Sequence, residues 1–419
     1  MSFVAKRVRF RNGEHHSILS RTGLTPVHEV TIYLRKYRTR GRAANTIHFV
    51  CCSLALLYRQ LAGAKIDLLD RLSNGNFLTM PELDRLASAA QYRVEDLEEL
   101  TEDTSNTPNV IRISRIGLRK TKVADSRASV DAATQASRLR YISDFLEFFS
   151  GYVGATLCDA ERKRLEMSTS FALKAFREHI PTVSKRAKLN ARIGLSEQEQ
   201  HRLLEVINPE SSLNPWTRGY VRKRNWLLIV LLLASGMRRG ELLGLQIGDL
   251  NAEAPKLRIL RRADTEKDPR RIQPCTKTFD REIELARPVM KALWDFINND
   301  RRAIKRARTV PQIFVSDEGA PLSHASIDKV FFQLRSVFPG LPMTLTSHVM
   351  RHTWNERFSE KAEAMGVSET VEERARNSQQ GWSDNSRMAA TYTRRYTAKK
   401  GREVALKLQE RLDALTNKN

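Results

Sequence analysis

At 419 residues the chain exceeds the length that a single hydrophobic core usually supports, so two domains are expected. Lys and Arg number 71 against 48 Asp and Glu, and the resulting +23 selects a polyanionic partner without separating DNA from RNA or an acidic membrane surface. The four cysteines lack the paired spacing of a zinc site and no apolar run is long enough to span a bilayer, so the thiols read as free and buried and the protein as cytoplasmic.

Residues 1–25 are basic and polar with weak periodicity and read as a flexible arm; Lys6, Arg7, Arg9 and Arg11 lead into no apolar segment of a signal peptide. From 26 to 181 the pattern is helical. Thr46, Ile47, Val50, Leu54, Leu57 and Leu61 recur three and four apart, and Cys51 and Cys52 lie in that run. Residues 102–126, rich in Ser, Thr, Asn and Pro and then in Arg112, Arg115, Arg119, Lys120 and Lys122, interrupt the helices as a loop. Helical spacing resumes through Leu139, Ile142, Phe145, Leu146 and Phe149, then through Phe171, Leu173 and Phe176, until Pro181 stops it.

A basic linker over 182–194 follows, with Lys185, Arg186, Lys188 and Arg192 and no apolar period. Ser196 then opens a helix over 197–207, an apolar helix covers 222–234, and short alternating strands are expected at 257–262 and 281–285, with a further one at 313–315. Helices dominate from Ser323 onward, and the tail over 398–419 carries Val404, Leu408, Leu412 and Leu415 at helical spacing. The fold class is therefore mainly α: a helical N-terminal domain, then a mixed α+β domain over 195–397 with a small antiparallel sheet.

Three short patterns stand out in the second domain. In Ser235-Gly236-Met237-Arg238-Arg239-Gly240-Glu241-Leu242 the glycine breaks one helix and another starts near Arg238, so that Arg238 and Glu241 share a face. Alone, that is a surface ion pair. His348-Val349-Met350-Arg351 aims an imidazole and a guanidinium at one point, which suits a phosphate; alone, it is a helix-start histidine and a solvated arginine. Gly381-Trp382 is followed ten residues on by Tyr392, with Tyr396 close behind, and such aromatics are more often core than reactive.

Their order changes the weighing. Arg238 with Glu241, His348 with Arg351, Trp382 and then Tyr392 resemble the tyrosine recombinase, or phage integrase, family over about 195–397, and the helical region before it resembles that family's core-binding domain, including the Asn45-Thr46-Ile47 helix opening. The resemblance implies a site-specific DNA recombinase, an integration or excision enzyme of a mobile element, that works through a 3′-phosphotyrosine with no cofactor, metal or ATP. It implies double-stranded DNA as partner, a homo-tetramer on two DNA sites, accessory DNA-bending or directionality proteins, and a place at the nucleoid. Catalytic roles fall to Arg238, His348, Arg351, Trp382, Tyr392 and a hairpin lysine. That lysine is Lys277, ahead of the strand at 281–285, with Lys267 as the alternative. Trp382 stands where many members have histidine, and its distance to Tyr392 is one residue longer than the commonest form, which leaves Tyr396 as a second candidate nucleophile.

The residue types suit the chemistry. A phosphodiester concentrates negative charge in its transition state, and Arg238 and Arg351 carry always-protonated planar forks that match phosphate oxygens. The Trp382 indole can donate a hydrogen bond but cannot act as a base, whereas His348 can take the phenol's proton and Lys277 can protonate the leaving 5′-oxygen. Glu241 would repel phosphate, so it is expected to hold Arg238 or His348 in place. Arg35, Lys36, Arg38, Arg40 and Arg42, with Lys185, Arg186, Lys188 and Arg192 of the linker, are the candidate contacts to backbone phosphates. A type IB topoisomerase-like enzyme and a catalytically inactive DNA-binding regulator are the competing readings.

Overall fold

The computed structural model describes residues 3–21, 25–93, 129–182, 193–338, 340–386, 388–389 and 394–416. Two compact units form, Met1–Ala187 and Lys188–Asn419. The expected loop at 102–126, the linker residues Lys185, Arg186, Lys188 and Arg192, and Tyr392 lie outside the described residues.

The first unit begins with an antiparallel hairpin, β1 (Phe3–Arg9) and β2 (His15–Arg21), in which Phe3 faces Arg21 and Arg9 faces His15. This corrects the expectation of a flexible arm. Gly13 turns the chain at φ 87°, a conformation glycine adopts without strain, and Phe3 and Leu19 are buried in the unit's core. Among the described residues six helices follow: α1 (His28–Thr39), α2 (Ala44–Gly63), α3 (Leu68–Ser73), α4 (Met80–Ala89), α5 (Ala132–Gly154) and α6 (Asp159–Glu178). The apolar helix α2 is central, with Ile47, Val50, Leu54, Leu57 and Leu61 buried as their spacing requires, and it packs on the hairpin, α1 and α5. Cys51 is buried, Cys52 and Cys275 are half-buried and Cys158 is exposed; all four are free, so burial holds for only part of the set.

The second unit comprises α7 (Glu197–Ile207), α8 (Gly219–Ser235), α9 (Arg239–Gly244), β3 (Lys256–Ile259), β4 (Arg281–Glu284), α10 (Arg287–Asp295), α11 (His324–Val337), α12 (Ser347–Ala364), α13 (Glu369–Gln380) and α14 (Arg394–Thr416). Ser196 caps α7 reciprocally with Glu199. From Trp226 onward helix α8 is apolar on nearly every side because it runs through the core: Leu227, Leu228, Ile229, Leu231 and Leu232 are all buried, and α12 packs along the helix. Strands β3 and β4 pair antiparallel, Leu257 facing Ile283 and Ile259 facing Arg281.

No strand forms at 313–315. Gln312 and Val315 make single bridges, to Gln246 and Pro321, and the neighbouring Pro311 and Pro321 have no N–H with which to extend a ladder. No helix among the described residues is long and apolar enough to cross a membrane.

Candidate active site

Helix α8 ends at Gly236, which takes the left-handed conformation at φ 62°. A Cβ there would come within 2.8 Å of the Trp354 ring and 2.9 Å of Gln380 Nε2, so only glycine fits this turn. The turn places Arg238 at the N-terminus of α9, where its backbone N–H donates to Glu241 Oε2 at 3.0 Å. The Arg238 side chain is 26% exposed and touches Glu241 Oε1 at 3.4 Å, leaving part of its fork open to solvent.

Arg351 lies one helical turn beyond His348 on α12, whose first turn is capped by Thr346. Its Nη1 donates to the Gly236 carbonyl at 2.7 Å, and its guanidinium carbon stands 5.1 Å from the centre of the Trp382 ring. Arg351 is 1% exposed and Trp382 8%. The His348 ring is half-buried and meets His352 edge-on at 4.8 Å. The entrance to the unit is tied to the same helix. Gly194 N–H donates to Glu356 Oε1 at 3.0 Å and Leu195 N–H to Thr353 Oγ1 at 2.8 Å.

Glu241 holds these pieces together. Its side chain is wholly buried and accepts from Thr278 Oγ1 at 2.8 Å and Arg281 Nη2 at 2.8 Å, besides Arg238. Burial would push its carboxyl up, but Arg281 beside it, the Arg238 backbone N–H and the charge of Arg351 outweigh that and hold it below its ordinary value.

Lys277 and Lys267 are both exposed on the connection between β3 and β4. Only Lys277 is bracketed by anchored neighbours that lead into the site: Thr276 Oγ1 donates to the Leu260 carbonyl at 3.1 Å, and Thr278 binds Glu241. Beyond it, Phe279 N–H donates to the Gly381 carbonyl at 2.9 Å, joining the lysine's segment to the turn that carries Trp382. His324, at the start of α11, feels the same cations: burial and then Arg239, Arg270 and Lys277 lower its pKa.

The structure thus brings together Arg238, Glu241, Arg351 and Trp382, with His348 on the same helix as Arg351 and Lys277 next to the carboxylate's partner. Tyr396, the alternative phenol, has another occupation. On α14 its Oη donates to Glu363 Oε2 at 2.6 Å, and burial together with that carboxylate pushes its pKa up to about 12. Thr278 and Arg281 were missed by sequence reasoning, because Glu241 and Gln379 lie far away in the chain, and Gly381 was read there only as the residue before Trp382. Among the described residues no three His, Cys, Asp or Glu side chains gather as metal ligands.

Among the candidate phosphate contacts of the first unit, Arg35, Arg40 and Arg42 are exposed. Arg38 is engaged by both oxygens of Glu14 at 2.8 and 2.7 Å, and Lys36 stands 3.7 Å over the Tyr33 ring.

Residues 195–399 match the sequence model of the phage integrase family. The tyrosine recombinase XerD of Halalkalibacterium halodurans is 27% identical over 152 residues, which is 36% of this chain and 46% of that protein. The XerD of Staphylococcus haemolyticus is 28% identical over 160 residues, 38% of this chain and 46% of its own length. The chain spans about half the length of the curated relatives it matches. Among solved structures, the Tn1549 transposon integrase in complex with circular intermediate DNA aligns with 16% identity over 87% of this chain and 94% of that one, at a TM-score of 0.48. Residues 195–399, in which the Arg351 guanidinium faces Trp382 and Arg238 pairs with Glu241, thus form a domain that matches the phage integrase family of tyrosine recombinases.

Proposed function

We propose that the chain is a site-specific DNA recombinase that breaks and rejoins DNA through a 3′-phosphotyrosine at Tyr392. The observation that carries this reading is the Arg351 contact: its guanidinium binds the carbonyl two residues before Arg238 while facing Trp382, so residues remote in sequence converge on one place. Two guanidinium forks beside a donor-only indole are suited to the nonbridging oxygens of a phosphodiester. Attack forms the Tyr392 Oη–P bond and breaks P–O5′; the phenol's proton passes to His348, and Lys277 supplies a proton to the leaving 5′-oxygen. Because the ester's energy stays in the protein link, religation needs no ATP, and strand exchange is expected to proceed in chelator. The raised pKa of Tyr396, committed to Glu363, supports Tyr392 as nucleophile.

In this reading residues 26–181, within the first unit, are the DNA clamp, the linker over 182–194 tracks phosphates, and 195–397 is the catalytic domain. Val404 and Leu408 on α14 are 60% and 61% exposed, which supports docking of this helix on a neighbouring protomer in a tetramer on two DNA sites. Leu412 and Leu415, in the same stripe, lie outside the described side chains. Integration or excision of a mobile element, aided by DNA-bending or directionality proteins at the nucleoid, is the setting this chemistry serves.

The test uses a nicked duplex of a site selected by this protein from a randomised library. Cleavage at the nick lets the short strand diffuse away and traps the adduct. A denaturation-resistant protein–DNA adduct that vanishes in Tyr392→Phe is expected. An unchanged adduct in that variant transfers the role to Tyr396; binding without any adduct supports a regulator; relaxation of a plasmid lacking sites supports a topoisomerase.

A further inference from the structure

Glu241 is a buried carboxylate between two guanidinium groups, and they are not equivalent. Arg238 is 26% exposed at 3.4 Å, whereas the Arg281 side chain is 6% exposed at 2.8 Å. A buried carboxylate must be neutralised. If Arg238 did this alone, its fork would face inward and be lost to a phosphate. Arg281 answers the carboxylate instead, which leaves Arg238 its solvent-facing edge.

Arg281 does more than neutralise. Its three nitrogens reach three segments of chain: Nη2 donates to Glu241 Oε2 on α9, Nη1 to Thr278 Oγ1 at 3.0 Å beside Lys277, and Nε to the Gln379 carbonyl at 2.8 Å in the last turn of α13. The Thr278 hydroxyl in turn donates to Glu241 Oε1, closing a ring. Gly381, at φ 62°, lies so close that a Cβ there would meet Phe279 O at 2.8 Å and Arg281 Nη1 at 3.0 Å. Arg281 also opens β4, so it is held by the pairing with Ile259.

We propose that Arg281 is a positioning residue that sets Lys277 in line with the phosphate held by Arg238, by clamping the lysine's connection and the Trp382 turn to one buried carboxylate. The inference rests on the recombinase reading above. Arg281 touches no reacting atom; it acts through Thr278 on the residue next to it, and through Glu241 on Arg238.

A role in placing a general acid is separable from a role in holding the fold. With a bridging 5′-oxygen, departure needs a proton from Lys277; with a bridging 5′-sulfur the thiolate leaves without one. The full-length protein is incubated with the selected nicked duplex carrying either atom, and adduct formation is timed. Arg281→Ala is expected to slow the oxygen substrate by about 100-fold or more, the scale of a lost general acid, and the deficit is expected to shrink by at least about tenfold on sulfur, as for Lys277→Ala. Arg281→Lys keeps a cation near Glu241 but cannot span Thr278 and Gln379, so it should not restore the rate.

Equal deficits on both leaving groups, or an undiminished rate, overturn the inference and leave the recombinase reading standing. Absence of adduct from the unaltered protein on both substrates sinks that reading and this inference together. Should Arg281→Ala not fold, Thr278→Val cuts the lysine's segment from Glu241 and Arg281 while keeping the ion pair. It is expected to show the same dependence on the leaving group, and equal deficits there overturn the proposal.

Discussion

The two units use their positive charge in opposite ways. In the second unit Arg224, Arg270, Arg301, Arg351 and Arg376 are all buried, whereas no arginine is buried among the described residues of the first. Each buried guanidinium is met by fixed acceptors. Arg301 donates to the carbonyls of Ala307, Val310 and Gln312, Arg270 to those of Leu243 and Leu322 and to Asp268, and Arg376 to Ser359 and Glu372. In the first unit the core is aliphatic and aromatic, with Tyr33 and Phe149 packed on Phe145, and Arg35, Arg40 and Arg42 remain in solvent. Charge pinned by carbonyls holds a geometry to a fraction of an ångström, as chemistry on one phosphate needs; charge on long solvated side chains attracts a polyanion without fixing any one atom.

The sharpest break of that contrast is Arg351→Ala. It removes a fixed donor from the site, and adduct formation on the nicked duplex is expected to fall by about 100- to 1,000-fold. Arg351→Lys should not recover it, because an ammonium cannot bind the Gly236 carbonyl and a phosphate oxygen with one planar fork. A rate within tenfold of the unaltered protein would mean that burial of this arginine serves the fold alone.

Glu241→Gln tests the same burial from the anionic side. Breaking a buried pair costs about 3–5 kcal/mol, and glutamine keeps part of the hydrogen bonding, so about 3 kcal/mol is expected from denaturant melts at neutral pH. The folded pKa of Glu241 lies below its ordinary 4.5. The carboxylate's contribution is therefore complete above that value and is lost as pH falls through the lower folded one. The gap between the two proteins should be widest at neutral pH and close under acid; a gap independent of pH contradicts the assignment.

The contrast also explains what could be read from the amino-acid order. The motif arginines, His348 and Trp382 were legible because their order survives folding, and the helix at 197–207 because Ser196 and Glu199 cap it locally. Arg281 was not, since its partners Glu241 and Gln379 lie 40 and 98 residues away and nothing local distinguishes it from a strand-end surface arginine. The N-terminal hairpin was overlooked for a different reason. Its Asn12-Gly13 turn signal is present, but basic residues on both faces of β1 blur the alternation that would have named a strand. Val315 suggested a strand where prolines on either side permit only a bridge.

Between the extremes sits Tyr396, half-buried on α14 and joined with Lys400 to Glu363 at 2.6 and 2.7 Å. Tyr396→Phe removes one of these two ties, and adduct formation at Tyr392 is expected to persist. Its disappearance, with an unaltered melting temperature, would make Tyr396 the nucleophile.

The smallest effect belongs to the solvated charges. Replacing Arg35, Arg40 and Arg42 together by alanine should leave the rate of adduct formation on saturating duplex unchanged and weaken binding equally for selected and unrelated sequences. Each arginine that touches a phosphate should lower the slope of log affinity against log salt by about one. Arg38→Ala should change that slope less than any of the three, because Glu14 already holds both ends of its fork. An Arg38 effect as large as theirs would show that DNA displaces Glu14, and the division between committed and available cations would then have to be redrawn for the first unit as well.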